Sequence, residues 1–270
     1  MTQAQGHFPP GEPARRMSAP VRLGLILGLV FVLLVVLGGV IVAVTNIRVG
    51  AVDLAADAAA GRRVTVDIPD AALDFQPGGD DRVHVKATGR YLGAQPRITA
   101  TTVDGVTTVT GGCPEQWFGF CQFDVSVTLP ASLPVTAQST NGRITAAGLT
   151  GPLRLATTNG AITASGTRER IDLHTTNGAI TVRDSSSREA SATTTNGSVD
   201  LVFLDPPRNV EARSTNGSVT VRLPDDGVAY RVQARTTNGD VDTGSVRTDP
   251  AALRSIVAET TNGKVIVEAR

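Results

Sequence analysis

Along the C-terminal half of the chain, apolar and polar residues alternate in short runs, and the same run keeps returning. Counted back from a recurring asparagine, the sixth residue is Val135, Leu153, Ile171, Ala190, Val210, Val232 or Ile256. The fourth is Ala137, Leu155, Leu173, Ala192, Ala212, Ala234 or Ala258. Both positions are always apolar, whereas the residue between them is Thr136, Arg154, Asp172, Ser191, Glu211, Gln233 or Val257. A period of two with one apolar face predicts a strand. Three residues past the asparagine stand Ile144, Ile162, Ile180, Val199, Val219, Val241 and Val265, all β-branched, so a second strand follows the turn.

The turn itself is the phrase S/T-T-N-G, as in STNGRIT at 139 to 145. Its seven pairs are Asn141 and Gly142, Asn159 and Gly160, Asn177 and Gly178, Asn196 and Gly197, Asn216 and Gly217, Asn238 and Gly239, and Asn262 and Gly263. The asparagines are 18, 18, 19, 20, 22 and 24 residues apart, the period range of stacked repeat architectures. Each unit therefore reads as strand, T-N-G turn, strand and a connection of variable length.

Two architectures accommodate this pattern. Asn-Gly is a strong hairpin signal, so a meander of seven hairpins or a sandwich is one. The other is a β-solenoid, in which equivalent residues of successive rungs lie ~4.8 Å apart and like side chains form ladders. A hairpin tip in solvent needs only Asn-Gly and makes no demand for threonine just before it. A coil makes that demand at every rung. The alanines four before the asparagine imply a thin interior, and the glycine supplies a corner that a Cβ would obstruct.

Upstream, VTVDIP, DRVHVKATGR, PRITATT, GVTTVT and FDVSVTLP predict five strands separated by Gly, Pro and Asp turns. A solenoid needs its first rung shielded, and residues 64–133 are expected to supply that cap to a solenoid over 134–270. At the other end KVIVEAR follows the seventh turn directly, so Glu268 and Arg270 are expected to blunt that edge. Self-association through the C-terminal edge is the alternative. Seven S/T-T-N-G-x-I/V units, preceded by a β-rich segment and an anchor, resemble the bacterial putative-adhesin family of T-N-G-repeat envelope domains, over roughly Val64 to Arg270. The resemblance implies adhesion and supplies no catalytic residues.

Before the β-rich half, the pattern changes. Leu23 to Val44 is 22 residues without a charge, which as a helix reaches ~33 Å and suffices to cross a bilayer. The run is too long for a secretory signal and lacks its cleavage site. Arg15, Arg16 and Arg22 precede it and Arg48 follows, which places the N-terminus in the cytoplasm and everything from about Asn46 outside. Residues 1–22 are expected to be a disordered cytoplasmic tail and 45–63 a linker. Cys113 and Cys121, bracketing PEQWFGF, are expected to pin a hairpin in an oxidising compartment.

With 25 basic and 25 acidic residues interspersed, the chain lacks the footprint that nucleic acid needs. His7 lies in the tail, and His84 and His174 occupy outward strand positions, so no Ser-His-Asp constellation assembles. Asp200 and Asp242 share an outward column with Thr220 between them, about 10 Å apart, so an inverting carboxylate pair, and with it a carbohydrate-active enzyme, is geometrically available. Asp240, Asp225 and Asp226 lie near them in sequence. No cofactor or metal set is present in the pattern. The expectation is an all-β protein behind one transmembrane helix, a non-enzymatic module that meets a cell-wall polymer or an envelope protein. An accessory role in envelope-stress sensing through partner membrane proteins is the second reading. Seven Asn-Gly pairs are a deamidation liability unless they are held rigidly.

Overall fold

The computed structural model describes residues 19–45, 49–114 and 120–270. The tail with His7, Arg15 and Arg16, as well as Arg48 and most of PEQWFGF, lies outside the described residues. Two units are present, Met1–Arg48 and Val49–Arg270.

The first unit contributes one helix, α1 (Ala19–Thr45), across the predicted apolar run. Counted over the described residues, no helix is long and apolar enough to cross a membrane.

The second unit is all strand. In chain order it runs β1 (Gly50–Ala59), β2 (Arg63–Asp67), β3 (Ala71–Gly78), β4 (Arg82–Leu92), β5 (Arg97–Val103), β6 (Val106–Gly112) and β7 (Phe120–Pro130). The repeats then give β8 (Val135–Ser139), β9 (Ile144–Ala147), β10 (Leu153–Thr157), β11 (Ile162–Ser165), β12 (Ile171–Asn177), β13 (Ile180–Ser185), β14 (Glu189–Asn196) and β15 (Val199–Phe203). The last three repeats hold β16 (Asn209–Asn216), β17 (Val219–Leu223), β18 (Arg231–Asn238), β19 (Val241–Asp242), β20 (Ser255–Asn262) and β21 (Val265–Ala269).

Each repeat sends its first strand to one sheet and its second strand to another, so successive repeats stack in parallel and the meander of hairpins is excluded. One sheet runs β18-β20-β16-β14-β12-β10-β8-β2-β6-β5 and the other β1-β4-β7-β3-β9-β11-β13-β15-β17-β21-β19. Pairing is in register on the repeat: Leu153 faces Ile171, Thr157 faces Thr175, and Asn177 faces Asn196. The inward columns are those the alternation predicted. Ala137, Leu155, Leu173, Ala192, Ala212 and Ala258 are buried from one sheet, and Ile144, Ile162, Ile180, Val199, Val219 and Val265 from the other.

The N-terminal segment is less separate than the sequence suggested. β2 pairs in parallel with β8, and β3 with β9, so residues 63–78 form a further rung with Pro69 and Asp70 at its corner. β6 and β7 lie parallel on that rung in turn. Antiparallel pairing begins only beyond them, with β5 on β6, β4 on β7 and β1 on β4. The segment read as a linker contains β1, because Val52 and Ala58 alternate into the core beside β4.

Cys113 and Cys121 are bonded, but they do not pin a hairpin. β6 and β7 belong to different sheets, and the disulfide closes the corner between them. That layer's corner loop is longer than T-N-G, and a covalent tie across so short a loop contributes about 2 to 3 kcal/mol by restricting the unfolded chain.

The far end departs from chain order. β20 pairs with β16 on one side and β18 on the other, and β21 lies between β17 and β19. The seventh repeat is thus inserted between the fifth and the sixth. Charge selects this order: Arg213 of the fifth rung meets Glu259 of the seventh at 2.8 Å, and Arg222 meets Glu268 at 2.8 Å. Stacked in chain order, Arg213 would face Arg235 instead. Apolarity agrees, since the inserted rung buries Ile256, Val265 and Val267, whereas Val241 of the sixth is 46% exposed. The expected edge residues therefore lie in an interior layer, Glu268 within β21 and Arg270 just past it. The true edges at this end are β18 and β19 of the sixth repeat, β18 guarded by the charged Arg231 and Arg235.

Glu259→Arg would line up three arginines across the fifth, seventh and sixth rungs. Thermal denaturation should show a loss of about 1 kcal/mol, the scale of half-exposed pairs, recovered in part when Arg235→Glu is added. Equal stability of the single variant and the parent would contradict charge-selected order.

Candidate functional site

The T-N-G corners build one continuous edge. Asn141 Nδ2 donates to Asp70 Oδ1 at 2.7 Å, and Asn159 to Asn141, Asn177 to Asn159 and Asn196 to Asn177 follow at 2.8 Å each. Asn216 donates to Asn196 at 2.9 Å, Asn262 to Asn216 at 2.8 Å and Asn238 to Asn262 at 2.7 Å. The ladder keeps the spatial order of the rungs, with the seventh before the sixth. Asp70 terminates it at the one position where accepting is all that is required. Sequence reading passed over Asp70, although Val64 and Val66 before it and Leu73 and Phe75 after it repeat the inward alternation of the other rungs.

The hydroxyl two residues before each asparagine turns inward and ties the corner to the rung below. Thr157 donates to the Gly142 carbonyl at 2.9 Å, Thr175 to Gly160 at 2.8 Å, Thr194 to Gly178 at 2.9 Å and Ser214 to Gly197 at 2.8 Å. Thr260 reaches Gly217 at 2.8 Å and Thr236 reaches Gly263 at 2.9 Å, while Ser139 uses the Pro69 and Ala71 carbonyls. Glycine is needed there for close approach. A Cβ on Gly197 would sit 2.1 Å from the Gly178 carbonyl oxygen, and one on Gly178 would sit 2.0 Å from that of Gly160.

The threonine immediately before each asparagine points outward. Thr140, Thr158, Thr195, Thr215, Thr261 and Thr237 are exposed and Thr176 is half-exposed, one per rung. With the outward residues three before the asparagine they border a groove whose floor is the inward hydroxyl row. Over the last four rungs it encloses about 530 Å³ between Thr193, Arg213, Glu259 and Arg235 on one bank and Thr195, Thr215, Thr261 and Thr237 on the other. Over the first rungs it encloses about 270 Å³, and His174 stands on its bank beside Gln138 and Ala156.

The carboxylate pair considered from sequence does not form. The pairing places Thr220 and Ile266 between Asp200 and Asp242, so three rung steps, about 14 Å, separate them, beyond the reach of an inverting pair. Asp200 is also engaged by Arg222, which simultaneously holds Glu268. Asp226 accepts from the Val228 amide in its own turn. His84 is bracketed, Nδ1 to Asp57 at 2.7 Å and Nε2 to Asp80 at 2.9 Å. Hydrogen bonding to Asp80, then to Asp57, raises its pKa above the ordinary 6.5. Hydrogen bonding to His84 holds Asp80 below the usual carboxylate value. Both bracketing carboxylates are thus occupied in an exposed ion cluster. Among the described residues no group of three or more His, Cys, Asp or Glu side chains is arranged to hold a metal ion.

This stacked, corner-laddered repeat coincides with residues 122–269, which match the family described as Toastrack DUF4097. The chain belongs to that family. The Toastrack match covers more than half of the chain and all seven T-N-G corners. The solved structure of a putative adhesin from Bacteroides fragilis aligns with a TM-score of 0.52 at 11% identity, over 82% of this chain and 97% of that one, and shows the same fold. A putative adhesin from Parabacteroides distasonis aligns at 0.48 and 11% identity, over 82% and 98%. A putative lipid binding protein from the same species aligns at 0.37 and 11% identity, over 83% and 98%. No curated protein matches the chain.

Asn196→Asp removes a donor and sets a carboxylate against the Asn177 oxygen. Chemical denaturation should register a loss of about 1 to 2 kcal/mol, whereas Asp70→Asn, which preserves the acceptor, should stay within about 0.5 kcal/mol of the parent. The His84 cluster gives a pH signature. A raised histidine pKa contributes stability fully present below its unfolded value near 6.5 and lost as pH rises through the higher folded value. The melting temperature should therefore decline across that window, and His84→Gln should flatten the decline.

Proposed function

We propose that this Toastrack protein is a non-enzymatic interaction module of the bacterial cell envelope. In this reading the uncharged run from Leu23 to Val44 anchors it in the membrane with residues 1–22 cytoplasmic. The β-solenoid stands outside and offers the threonine-bordered groove to a cell-wall polymer or an extended segment of an envelope protein. The observation that carries the reading is the groove, in which each rung contributes one outward threonine at a fixed interval of ~4.8 Å. Such a surface suits an extended polar chain running along the axis, whose hydroxyl or amide groups meet one hydrogen-bonding side chain per layer. A rigid site loses little entropy on binding, and the ladder supplies the rigidity. Anchoring is supported by the 22 uncharged residues from Leu23 to Val44 and by the arginines ahead of them. The disulfide between Cys113 and Cys121 suits an extracytoplasmic compartment.

Retention of the full chain on isolated cell walls provides the test. Thr195→Arg combined with Thr215→Arg changes two outward residues and leaves the core alone, so folding should persist while retention drops several-fold. Unchanged retention, or recovery of a membrane sensor kinase in place of wall material, would overturn the groove reading.

A further inference from the structure

At the opposite margin of the groove-bearing sheet, the residue preceding β14, β16 and β20 is arginine each time: Arg188, Arg208 and Arg254. Because the seventh rung is inserted, these occupy consecutive layers. The Arg208 amide donates to the Arg188 carbonyl at 2.7 Å, and the Ser255 amide donates to the Arg208 carbonyl at 2.8 Å. Their backbones are thus ~4.8 Å apart along the axis. In chain order Tyr230 would have taken the third place and broken the file.

Several arginines on the rung faces are matched with acids, and others, such as Arg183 and Arg235, stand without an ion pair among the described residues and without an arginine in an adjoining layer. Arg154 pairs with Asp172, Arg213 with Glu211 and Glu259, and Arg222 with Asp200 and Glu268. The file is different. Arg188 and Arg208 are exposed, and among the described residues neither forms an ion pair. Glu189 is committed to Arg170 at 3.8 Å, and the register of β12 on β14, carried back two residues from Ile171 and Ala190, sets Glu169 opposite Arg188 and closes the file on that side. Arg254 is braced by the Pro206 and Pro207 carbonyls at 2.6 and 3.3 Å.

We propose that Arg188, Arg208 and Arg254 form a binding site for a linear polyanion whose phosphate groups repeat along its length, laid parallel to the solenoid axis. Like charges stacked on adjoining strands repel, and an anion spanning them removes that repulsion. The planar guanidinium fork donates to two phosphate oxygens at once, which selects phosphate over a neutral glycan. The geometry also selects a line over a plane: a membrane surface would be met by a broad basic patch, and the nearby Leu204 and Leu253 are exposed singly. This site is independent of the threonine groove.

The test uses the full chain in nonionic micelles with inorganic polyphosphate as probe, titrated at two salt concentrations. Arg188→Ala with Arg208→Ala should weaken binding roughly tenfold or more at low salt and reduce the salt slope by about 1 to 2. Arg188→Lys with Arg208→Lys should retain most of the slope. The control Arg63→Ala with Arg97→Ala, which removes two exposed arginines of the N-terminal strands, should bind as the parent does. Three results would overturn the proposal: no binding by the parent, equal loss in the control, or arginine-dependent binding only to mixed micelles containing phosphatidylglycerol. Melting curves for each variant separate lost binding from lost folding, and the lysine pair keeps the question open if the alanine pair unfolds.

Discussion

Close stacking of backbone on backbone at the T-N-G corner governs everything else in the solenoid. With no Cβ at that position, each glycine carbonyl approaches the next rung closely enough to accept its threonine or serine hydroxyl and to bring consecutive asparagine amides into hydrogen-bonding distance. The inward hydroxyl needs a partner because it is shielded from water, and in six of the seven repeats the glycine carbonyl of the adjoining layer supplies it. One constraint thus fixes three residue types. The outward threonine is under no such obligation from packing, which is why its sevenfold recurrence points to the surface and to the groove beside it.

The hydrophobic alternation carried the architecture, since inward columns on both sides of the turn are legible from residues such as Leu155, Leu173 and Ile162 without any structure. Three features were less accessible. The rung around Asp70 has the right alternation but lacks the T-N-G phrase, so a search keyed to the phrase ends one layer early. The Cys113 and Cys121 pair looks like a hairpin staple in one dimension, because sequence proximity does not reveal that the chain changes sheets there. The separation of Asp200 and Asp242 depends on rung order, which spacing cannot disclose when every repeat fits every other.

Rung order is where near-identical repeats need an added instruction. Backbone pairing and the asparagine ladder would accept the sixth and seventh repeats in either sequence. Side-chain charge breaks the tie: Glu259 and Glu268 complement Arg213 and Arg222, whereas Arg235 and Gly244 do not. The more apolar repeat takes the place with two neighbours, and the more polar one takes the place with water on one side. The same inversion brings Arg208 and Arg254 into adjacent layers, so a choice made for stability also shapes the outer surface.

Every amide in the ladder points the same way. A primary amide is a dipole, and seven of them head to tail sum along the axis as peptide units do in a helix. Asp70 places its negative charge where the positive ends converge, and the side-chain oxygen of Asn238, which no further rung satisfies, leaves the negative pole open to solvent. The ladder dipole is therefore neutralised at the Asp70 end and left uncompensated at the Asn238 end.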